Sequence, residues 1–191
     1  MCGRFSLNKT LEELLREFPA LKYDGLPVFG GNISPGSEIS AICGGRLEKF
    51  KWGLYTDYIK DFMINVRAEG VASKPYFRNF FYGSRCLIPA DAFYEWKAEP
   101  EGNAKTPYRI AMKDGSIFFM AGLFNQNNGT CAVITTTPSL LVKQIHDRMP
   151  AILTPENRGA WLDRKCKDSE RLLPMLTPFD SRLMTAEKFA F

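Results

Sequence analysis

Cys2 carries two nucleophiles on one carbon skeleton once the preceding Met1 has been removed. The α-amine titrates at about 7.7–8.0 and the thiol at about 8.5, so a useful fraction of each is deprotonated near neutral pH. An amine condenses with an aldehyde to an imine, and the neighbouring thiol can add to the same carbon and close a five-membered thiazolidine. The residue type therefore favours an aldehyde substrate, although a cysteine after the initiator methionine is more often without function.

Glu95 is a second candidate for chemistry, because it lies in the aromatic stretch Phe93-Tyr94-Glu95-Trp96. Aromatic neighbours that desolvate a carboxyl group raise its pKa, and such a group can shuttle protons near neutral pH. The alternative interpretation is an exposed glutamate on an aromatic strand.

A third stretch, Asn65-Val66-Arg67-Ala68-Glu69, alternates polar with apolar residues. If it is extended, Asn65, Arg67 and Glu69 face one side of a strand together. An amide beside a guanidinium suits an oxyanion or a phosphate. A solvated strand face is the alternative.

His146 is the only histidine of the chain and opens the stretch His146-Asp147-Arg148-Met149-Pro150. A single histidine cannot form a multi-histidine metal site, but it can relay protons, with Asp147 or Arg148 setting its charge state. Thr135 and Thr136 precede it, and their hydroxyls could bind phosphate or cap the next helix.

Three helices are predicted to lie around these residues. Thr10 to Phe18 begins with a capping box and has leucines at helical spacing. Pro155 to Leu162 follows Thr154 as N-cap, and Pro138 to Ile145 is a third candidate.

Strands are predicted from alternating patterns and turn residues. Ile39 to Cys43 and Arg46 to Trp52 form a hairpin across Gly44-Gly45, since two glycines supply the positive φ angles of a tight turn. Three further strands are predicted at Tyr108 to Met112, Ile117 to Phe124 and Cys131 to Thr136. Short turns imply antiparallel pairing, so we expect an α+β domain, mainly antiparallel sheet curled toward a barrel, with peripheral helices. The last stretch, Asp168 to Phe191, carries no clear pattern.

Composition is consistent with a single globular domain over residues 1–191, since 45% of the residues are hydrophobic. The 25 basic and 21 acidic side chains leave a net charge of +4, which permits a polyanion partner without requiring one. Five widely spaced cysteines without a C-x-x-C pair argue against a disulfide framework and a zinc site. No membrane span or signal peptide is predicted, and we expect a cytoplasmic protein.

Taken together, the motifs resemble the SOS response-associated peptidase (SRAP) family, whose members act as shields of abasic DNA. The resemblance covers residues 1 to about 165. The matching motifs stand in the family's order: Met1-Cys2-Gly3-Arg4, Asn32-Ile33-Ser34-Pro35-Gly36, Lys51-Trp52-Gly53-Leu54, Asn65 to Glu69, Arg85 to Trp96, and Thr135-Thr136 to Pro150.

The resemblance implies a covalent link between Cys2, after methionine removal, and the ring-opened sugar aldehyde of an abasic site in single-stranded DNA. Asn65 would hold the N-terminal residue and the opened sugar, while Glu95 and His146 would move protons. No metal or other cofactor is implied.

A set of DNA-binding residues is implied as well. Arg4 and Arg67 would grip phosphates, and Arg148 would also bind DNA. The DNA channel would be lined by Asn32, Pro35, Trp52 and Thr135, with Trp52 and Pro35 facing the bases. The expected partner is single-stranded DNA with abasic sites, bound by a monomer that associates with the nucleoid.

Three departures from the family pattern stand out. Tyr55-Thr56-Asp57-Tyr58 replaces a segment that usually carries proline and tryptophan, Gly70 replaces a threonine, and Ala92 replaces a glycine. Two other functions remain open at this point: a peptidase or amidase with an N-terminal nucleophile, and a non-covalent reader of modified bases.

Overall fold

The computed structural model describes residues 2–56, 59–100 and 104–190. It is mostly antiparallel sheet with peripheral helices, which confirms the predicted α+β, barrel-like class. The strands are β1 (Phe5–Leu7), β2 (Lys22–Tyr23), β3 (Gly30–Ile33), β4 (Glu38–Cys43), β5 (Arg46–Trp52), β6 (Leu54–Thr56), β7 (Ile59–Met63), β8 (Asn65–Arg67), β9 (Arg85–Ala90), β10 (Ala92–Ala98), β11 (Lys105–Met112), β12 (Phe118–Asn125), β13 (Thr130–Thr136), β14 (Met149–Pro150) and β15 (Met184–Lys188). The α-helices within the described ranges are α1 (Leu11–Glu17), α2 (Pro75–Gly83), α3 (Pro155–Leu162) and α4 (Ser169–Leu172). None of them is long and apolar enough to cross a membrane.

Five strands close into a barrel. β5, β4, β9, β12 and β13 are hydrogen-bonded in that order, and parallel pairing of Thr130 with Lys51 and of Cys131 with Trp52 joins β13 back to β5. Because side chains alternate along a strand, β9, β12 and β13 each have two buried rows. One row, which includes Cys86, packs with the second sheet, and the other, which includes Leu87, packs under the helices.

The second sheet holds the N-terminus in place. Its order is β15-β11-β10-β1-β3, so β1 is hydrogen-bonded along both edges. Phe5 pairs with Phe93 of β10, and the Tyr94 N–H donates to the Arg4 carbonyl at 2.9 Å. The first residues of the chain are therefore laid antiparallel against the strand that carries Glu95.

Local signals in the sequence predicted several of these elements. Thr10 and Glu13 form the expected capping box of α1, with Thr10 N–H donating to Glu13 Oε2 at 2.8 Å. The β4–β5 hairpin turns at Gly44 and Gly45, whose φ angles are +56° and +82°. α3 has its predicted bounds, although the Thr154 side chain makes no capping hydrogen bond.

One prediction about local structure is wrong, and the extended conformation considered for residues 65–69 holds only in part. Pro138 to Ile145 is not an α-helix but holds one 3-10 turn, Val142–Gln144. The leucine at position 140 is 80% exposed, and the Leu141 N–H donates to Ser181 Oγ, so tertiary contacts rather than an apolar helical face determine the segment. The strand that begins at Asn65 ends at Arg67, because residues 68–70 turn into a 3-10 helix.

Arg85, the first residue of β9, connects the C-terminal ends of α2 and α3 to the barrel through hydrogen bonds. Its guanidinium is 1% exposed and donates to the carbonyls of Phe81 at 2.5 Å, Trp161 at 2.7 Å and Asp163 at 2.6 Å. These carbonyls lie in the last turns of α2 and α3, where no intrahelical donor remains. A fourth bond joins Arg85 to the Cys166 carbonyl at 3.0 Å.

A candidate active site at the N-terminus

Cys2 lies in the interior beside β8. Asn65 Nδ2 donates to the Cys2 carbonyl at 2.8 Å, and the Cys2 residue is 0% exposed. Asn65 is positioned by β8, which pairs in parallel with β13 so that Asn65 lies opposite Val133. Its Oδ1 is buried and has no hydrogen-bond partner among the described residues, so one acceptor remains available beside Cys2.

The Cys2 thiol is protonated near neutral pH. Burial raises its pKa far above the ordinary range, and the nearby Glu95 carboxylate raises it further. Its Sγ lies 3.9 Å from the Arg4 carbonyl, a contact that the thiol proton can make. Burial therefore favours the protonated thiol in the folded chain, and attack by sulfur needs a base that accepts the proton.

Glu95 has the properties of such a base. It is 2% exposed, and burial raises the pKa of its carboxyl group to about 7. The direction confirms the prediction made from its aromatic neighbours. Near neutral pH both the protonated and the ionised forms of Glu95 are populated, so it can donate and accept protons.

His146 faces Glu95 from the loop that precedes β14. The distance from His146 Nε2 to Glu95 Oε2 is 3.7 Å, and burial lowers the pKa of the imidazole. Its Nδ1 lies 3.1 Å from the Arg148 N–H and 2.9 Å from Asp147 Oδ1, so a neutral ring can either accept from Arg148 or donate to Asp147 at this atom. The lowered pKa favours a neutral ring, and in the tautomer that accepts from Arg148 the proton is on Nε2, the atom that faces Glu95.

The four predicted catalytic residues thus come together from four distant parts of the chain. Cys2 precedes β1, Asn65 begins β8, Glu95 lies in β10 and His146 follows β13. Across residues 2–56, 59–100 and 104–190, no group of three His, Cys, Asp or Glu side chains is placed to hold a metal ion.

Four of the predicted DNA-binding residues reach the surface. Arg67 faces the same side of β8 as Asn65, but its side chain is exposed. Asn32 and Pro35 are exposed, and Arg4 is half-buried with Nη1 donating to Asn32 Oδ1 at 2.8 Å. These residues offer two guanidinium groups and an apolar ring to a ligand.

Trp52 does not fit its predicted role. It is 0% exposed, its indole N–H donates to the Ile64 carbonyl at 3.0 Å, and its ring packs edge-on against Phe5 with centroids 5.0 Å apart. The prediction that Trp52 faces bases is therefore wrong. Its position at the end of β5, where that strand closes the barrel, places the ring in the core beneath the N-terminus.

Arg148, Thr135 and Glu69 form one hydrogen-bonded network. Arg148 forms a bidentate pair with Glu69 at 2.5 and 3.0 Å and donates to the Thr135 carbonyl at 2.7 Å. Thr135 is 0% exposed and so is not available to a phosphate, which makes that prediction wrong. Arg148 is 8% exposed and its terminal nitrogens are engaged by Glu69, while its Nε has no hydrogen-bond partner among the described residues, so its DNA-binding role stays a prediction. The Glu69–Arg148 pair was missed, because nothing in the sequence indicates that residues 79 positions apart meet.

The departures from the family pattern differ in their effects. A Cβ atom at Gly70 would lie 3.0 Å from Lys74 Cε, so the glycine makes room for that lysine side chain. Ala92 is fully buried in β10 opposite Ser6 of β1. Asp57 and Tyr58 lie outside the described residues.

Comparisons with known proteins agree on one family. A family model described as SOS response associated peptidase (SRAP) matches residues 1–189. The chain is 39% identical to the abasic site processing protein YoqW of Bacillus subtilis, over 97% of this chain and 91% of that protein. It is 29% identical to the abasic site processing protein YedK of Escherichia coli, over 89% and 83%. A crystal structure of a Bacteroides thetaiotaomicron protein has a TM-score of 0.84 at 25% identity, covering 99% of this chain and 92% of that one.

Proposed function

The chain belongs to the SOS response-associated peptidase (SRAP) family, and from that premise we propose that it captures abasic sites in single-stranded DNA covalently through Cys2. Relatives at 39% and 29% identity are named abasic site processing proteins. The observation that carries the proposal is the convergence of Cys2, Asn65, Glu95 and His146 in one place. The substrate would be the aldehyde carbon of the ring-opened sugar.

Removal of Met1 makes the α-nitrogen of Cys2 a free amine. The amine adds to the aldehyde carbon, and loss of water gives an imine. The Cys2 sulfur then adds to the imine carbon while the nitrogen gains a proton, which closes a thiazolidine. The thiol loses one proton and the nitrogen gains one, so the closure consumes no oxidant or reductant.

Glu95 would carry most of the proton transfers. In its protonated form it can donate to the ring oxygen or to the departing water, and in its ionised form it can accept the thiol proton. A pKa of about 7 makes both forms available near neutral pH. His146 would assist through Nε2, and Asn65 would hold the Cys2 carbonyl so that the amine has a fixed direction.

The surface around the site suits a nucleic-acid strand. Arg4 and Arg67 would contact phosphates, while Asn32 and Pro35 would line the path of the strand. We propose that a monomer acts on single strands and associates with the nucleoid in this way. The reaction would occur once per protein molecule. It would resemble a lyase reaction only in that it forms an imine with the sugar aldehyde.

Single-turnover crosslinking to single-stranded DNA with one abasic site tests the proposal. Protein whose mass confirms Cys2 at the N-terminus should give a covalent band that resists denaturant. Cys2→Ser should abolish it, whereas Cys166→Ser, the matched control at a thiol outside the site, should not. Absence of the band from correctly processed protein would refute the proposal.

The same assay tests the shared role of Glu95 and His146. Glu95→Gln should slow crosslinking at saturating DNA by about 10²- to 10⁴-fold, the usual contribution of general acid–base catalysis. His146→Ala should slow it less. Because the two groups act in one step, the double variant should lose less than the product of the single losses. Fully multiplicative losses would contradict the shared role.

A further inference from the structure

Glu69 is not one of the four candidate catalytic residues, but Arg148 connects it to one of them. Both terminal nitrogens of Arg148 donate to the Glu69 carboxylate, at 2.5 and 3.0 Å, and Nη2 also donates to the Thr135 carbonyl at 2.7 Å. The Arg148 side chain is 10% exposed. It is therefore held between β13 and the 3-10 turn that follows β8.

The backbone of Arg148 contacts the imidazole of His146. The Arg148 N–H donates to His146 Nδ1 at 3.1 Å, and the pairing of β14 with β13 begins one residue later, at Met149. Between His146 and β14 the chain consists of Asp147 and Arg148, and the Asp147 side chain is 86% exposed. The buried Arg148 side chain is therefore an anchor that fixes the position of this N–H donor.

The tautomer of His146 decides which form of Glu95 the ring supports. With the proton on Nε2, the ring can donate toward Glu95 Oε2, 3.7 Å away, which favours the ionised carboxylate. With the proton on Nδ1, the bare Nε2 can only accept, which favours protonated Glu95. The proposed capture reaction needs the ionised form when the Cys2 thiol gives up its proton.

Two groups have opposite effects at Nδ1. Asp147 Oδ1 lies 2.9 Å away and favours a proton on Nδ1, whereas the Arg148 N–H can bond only to a bare Nδ1. The Asp147 carboxylate is mostly exposed, so water competes with the ring for it and weakens their pairing. A proton on Nδ1 would deprive the partly buried Arg148 N–H of this acceptor, which costs free energy. The balance favours a bare Nδ1 as long as Arg148 stays in place.

We infer that Glu69 is a positioning residue for the proposed capture reaction, because it holds Arg148 where the N–H of that residue keeps His146 Nδ1 free of a proton. The proton of the neutral ring then lies on Nε2, toward Glu95. The inference rests on the proposed function for its effect on the reaction, but the tautomer can be measured without DNA.

NMR of the ring nitrogens tests the first step. The chain contains one histidine, so a long-range ¹H–¹⁵N spectrum of untagged protein reports on His146 alone. At pH 8, where the lowered pKa leaves the ring neutral, wild type should show a protonated Nε2 and a bare Nδ1. Glu69→Ala should move the tautomer ratio toward Nδ1–H by about fivefold, the change that one hydrogen bond of ordinary strength gives. A protonated Nδ1 in wild type, or an unchanged ratio in Glu69→Ala, would overturn the inference.

Two further variants guard this measurement. Glu17→Ala is the matched control, because it also removes the carboxylate partner of a buried arginine, Arg158, which lies 2.7 Å away and is 9% exposed. It should leave the tautomer ratio unchanged. Glu69→Gln keeps the size of the side chain but not its charge, so it should shift the ratio in the same direction with less risk to folding.

Single-turnover crosslinking at saturating abasic DNA tests whether Glu69 acts through His146. Glu69→Ala should slow wild type by about two- to fivefold, in line with the change in tautomer ratio. It should not slow His146→Ala any further, because the ring through which it acts is then absent. An equal loss in both backgrounds would make the role of Glu69 independent of His146 and overturn the inference.

The outcomes separate the inference from the function on which it rests. Wild-type crosslinking together with an unchanged tautomer ratio in Glu69→Ala overturns the positioning role and leaves the proposed function intact. Absence of crosslinking by correctly processed wild type overturns the proposed function, while the ring-nitrogen spectrum still decides whether Glu69 sets the tautomer.

Discussion

Replacing Glu95 with glutamine should change how the stability of the protein depends on pH. The carboxyl group is 2% exposed, and burial raises its pKa to about 7 in the folded chain. In the unfolded chain the same group titrates near its ordinary value of 4.5. The folded state therefore holds the proton more tightly than the unfolded state. Glutamine keeps the shape of the protonated side chain but cannot ionise.

The size of the effect follows from these two values. The contribution of Glu95 to stability is fully present below about pH 4.5 and is lost as the pH rises through about 7. Each pH unit between the two values corresponds to 1.36 kcal/mol, so the loss is about 3 kcal/mol. The free energy of unfolding of Glu95→Gln should therefore rise by that amount relative to wild type between pH 4.5 and pH 8. The contributions of carboxylates common to both proteins cancel when the two free energies are subtracted.

Urea unfolding from pH 4.5 to pH 8 measures this difference. Both proteins should retain Met1, verified by mass, so that no new amine lies beside residue 95. Glu187→Gln is the matched control, because it removes one carboxylate that is exposed on β15 rather than buried. A difference between wild type and Glu95→Gln that stays within about 0.5 kcal/mol over the whole range would refute the reasoning.

Three other predictions concern the N-terminus, the strand path and the fold. Protein that retains Met1 should bind DNA but form no crosslink, because the nitrogen of Cys2 is then an amide. A denaturant-resistant band from such protein would contradict this prediction. Arg67→Ala should flatten the slope of log affinity against log salt by about 0.7, measured by fluorescence anisotropy on single strands, whereas an unchanged slope would assign Arg67 a structural role. Arg85→Met should lower the free energy of unfolding by at least about 3 kcal/mol, because it leaves buried helix-end carbonyls without a donor. Urea unfolding measures this loss, and near-native stability would show that water replaces the guanidinium.

The sequence predicted those parts of the fold that local signals determine. The capping box at Thr10, the two glycines at 44 and 45 and the proline at the start of α3 each act within a few residues. Pro138 to Ile145 carried a helical pattern as well, but contacts with Ser181, 40 positions away, override it. Local reasoning fails wherever the partner lies far along the chain.

The candidate site was predictable to a similar extent. Cys2, Asn65, Glu95 and His146 are residue types suited to chemistry, and their motifs match a known family. Trp52 and Arg148 were assigned to DNA because the family resemblance implied that role. Whether either reaches the surface depends on barrel closure at β5 and on the distant Glu69 carboxylate, which only the structure provides.

The position of β1 between β10 and β3 also determines when the start of the chain can fold during synthesis. Phe5 cannot pair with Phe93 until a segment made 88 positions later has left the ribosome. At about 5–20 residues per second, that interval lasts roughly 4–18 s. During this time the start of the chain has no second sheet to join, and an aminopeptidase can reach it. Once β1 is paired along both edges, Cys2 is buried. The removal of Met1 that the proposed function requires would therefore belong to the seconds of synthesis rather than to the lifetime of the folded protein.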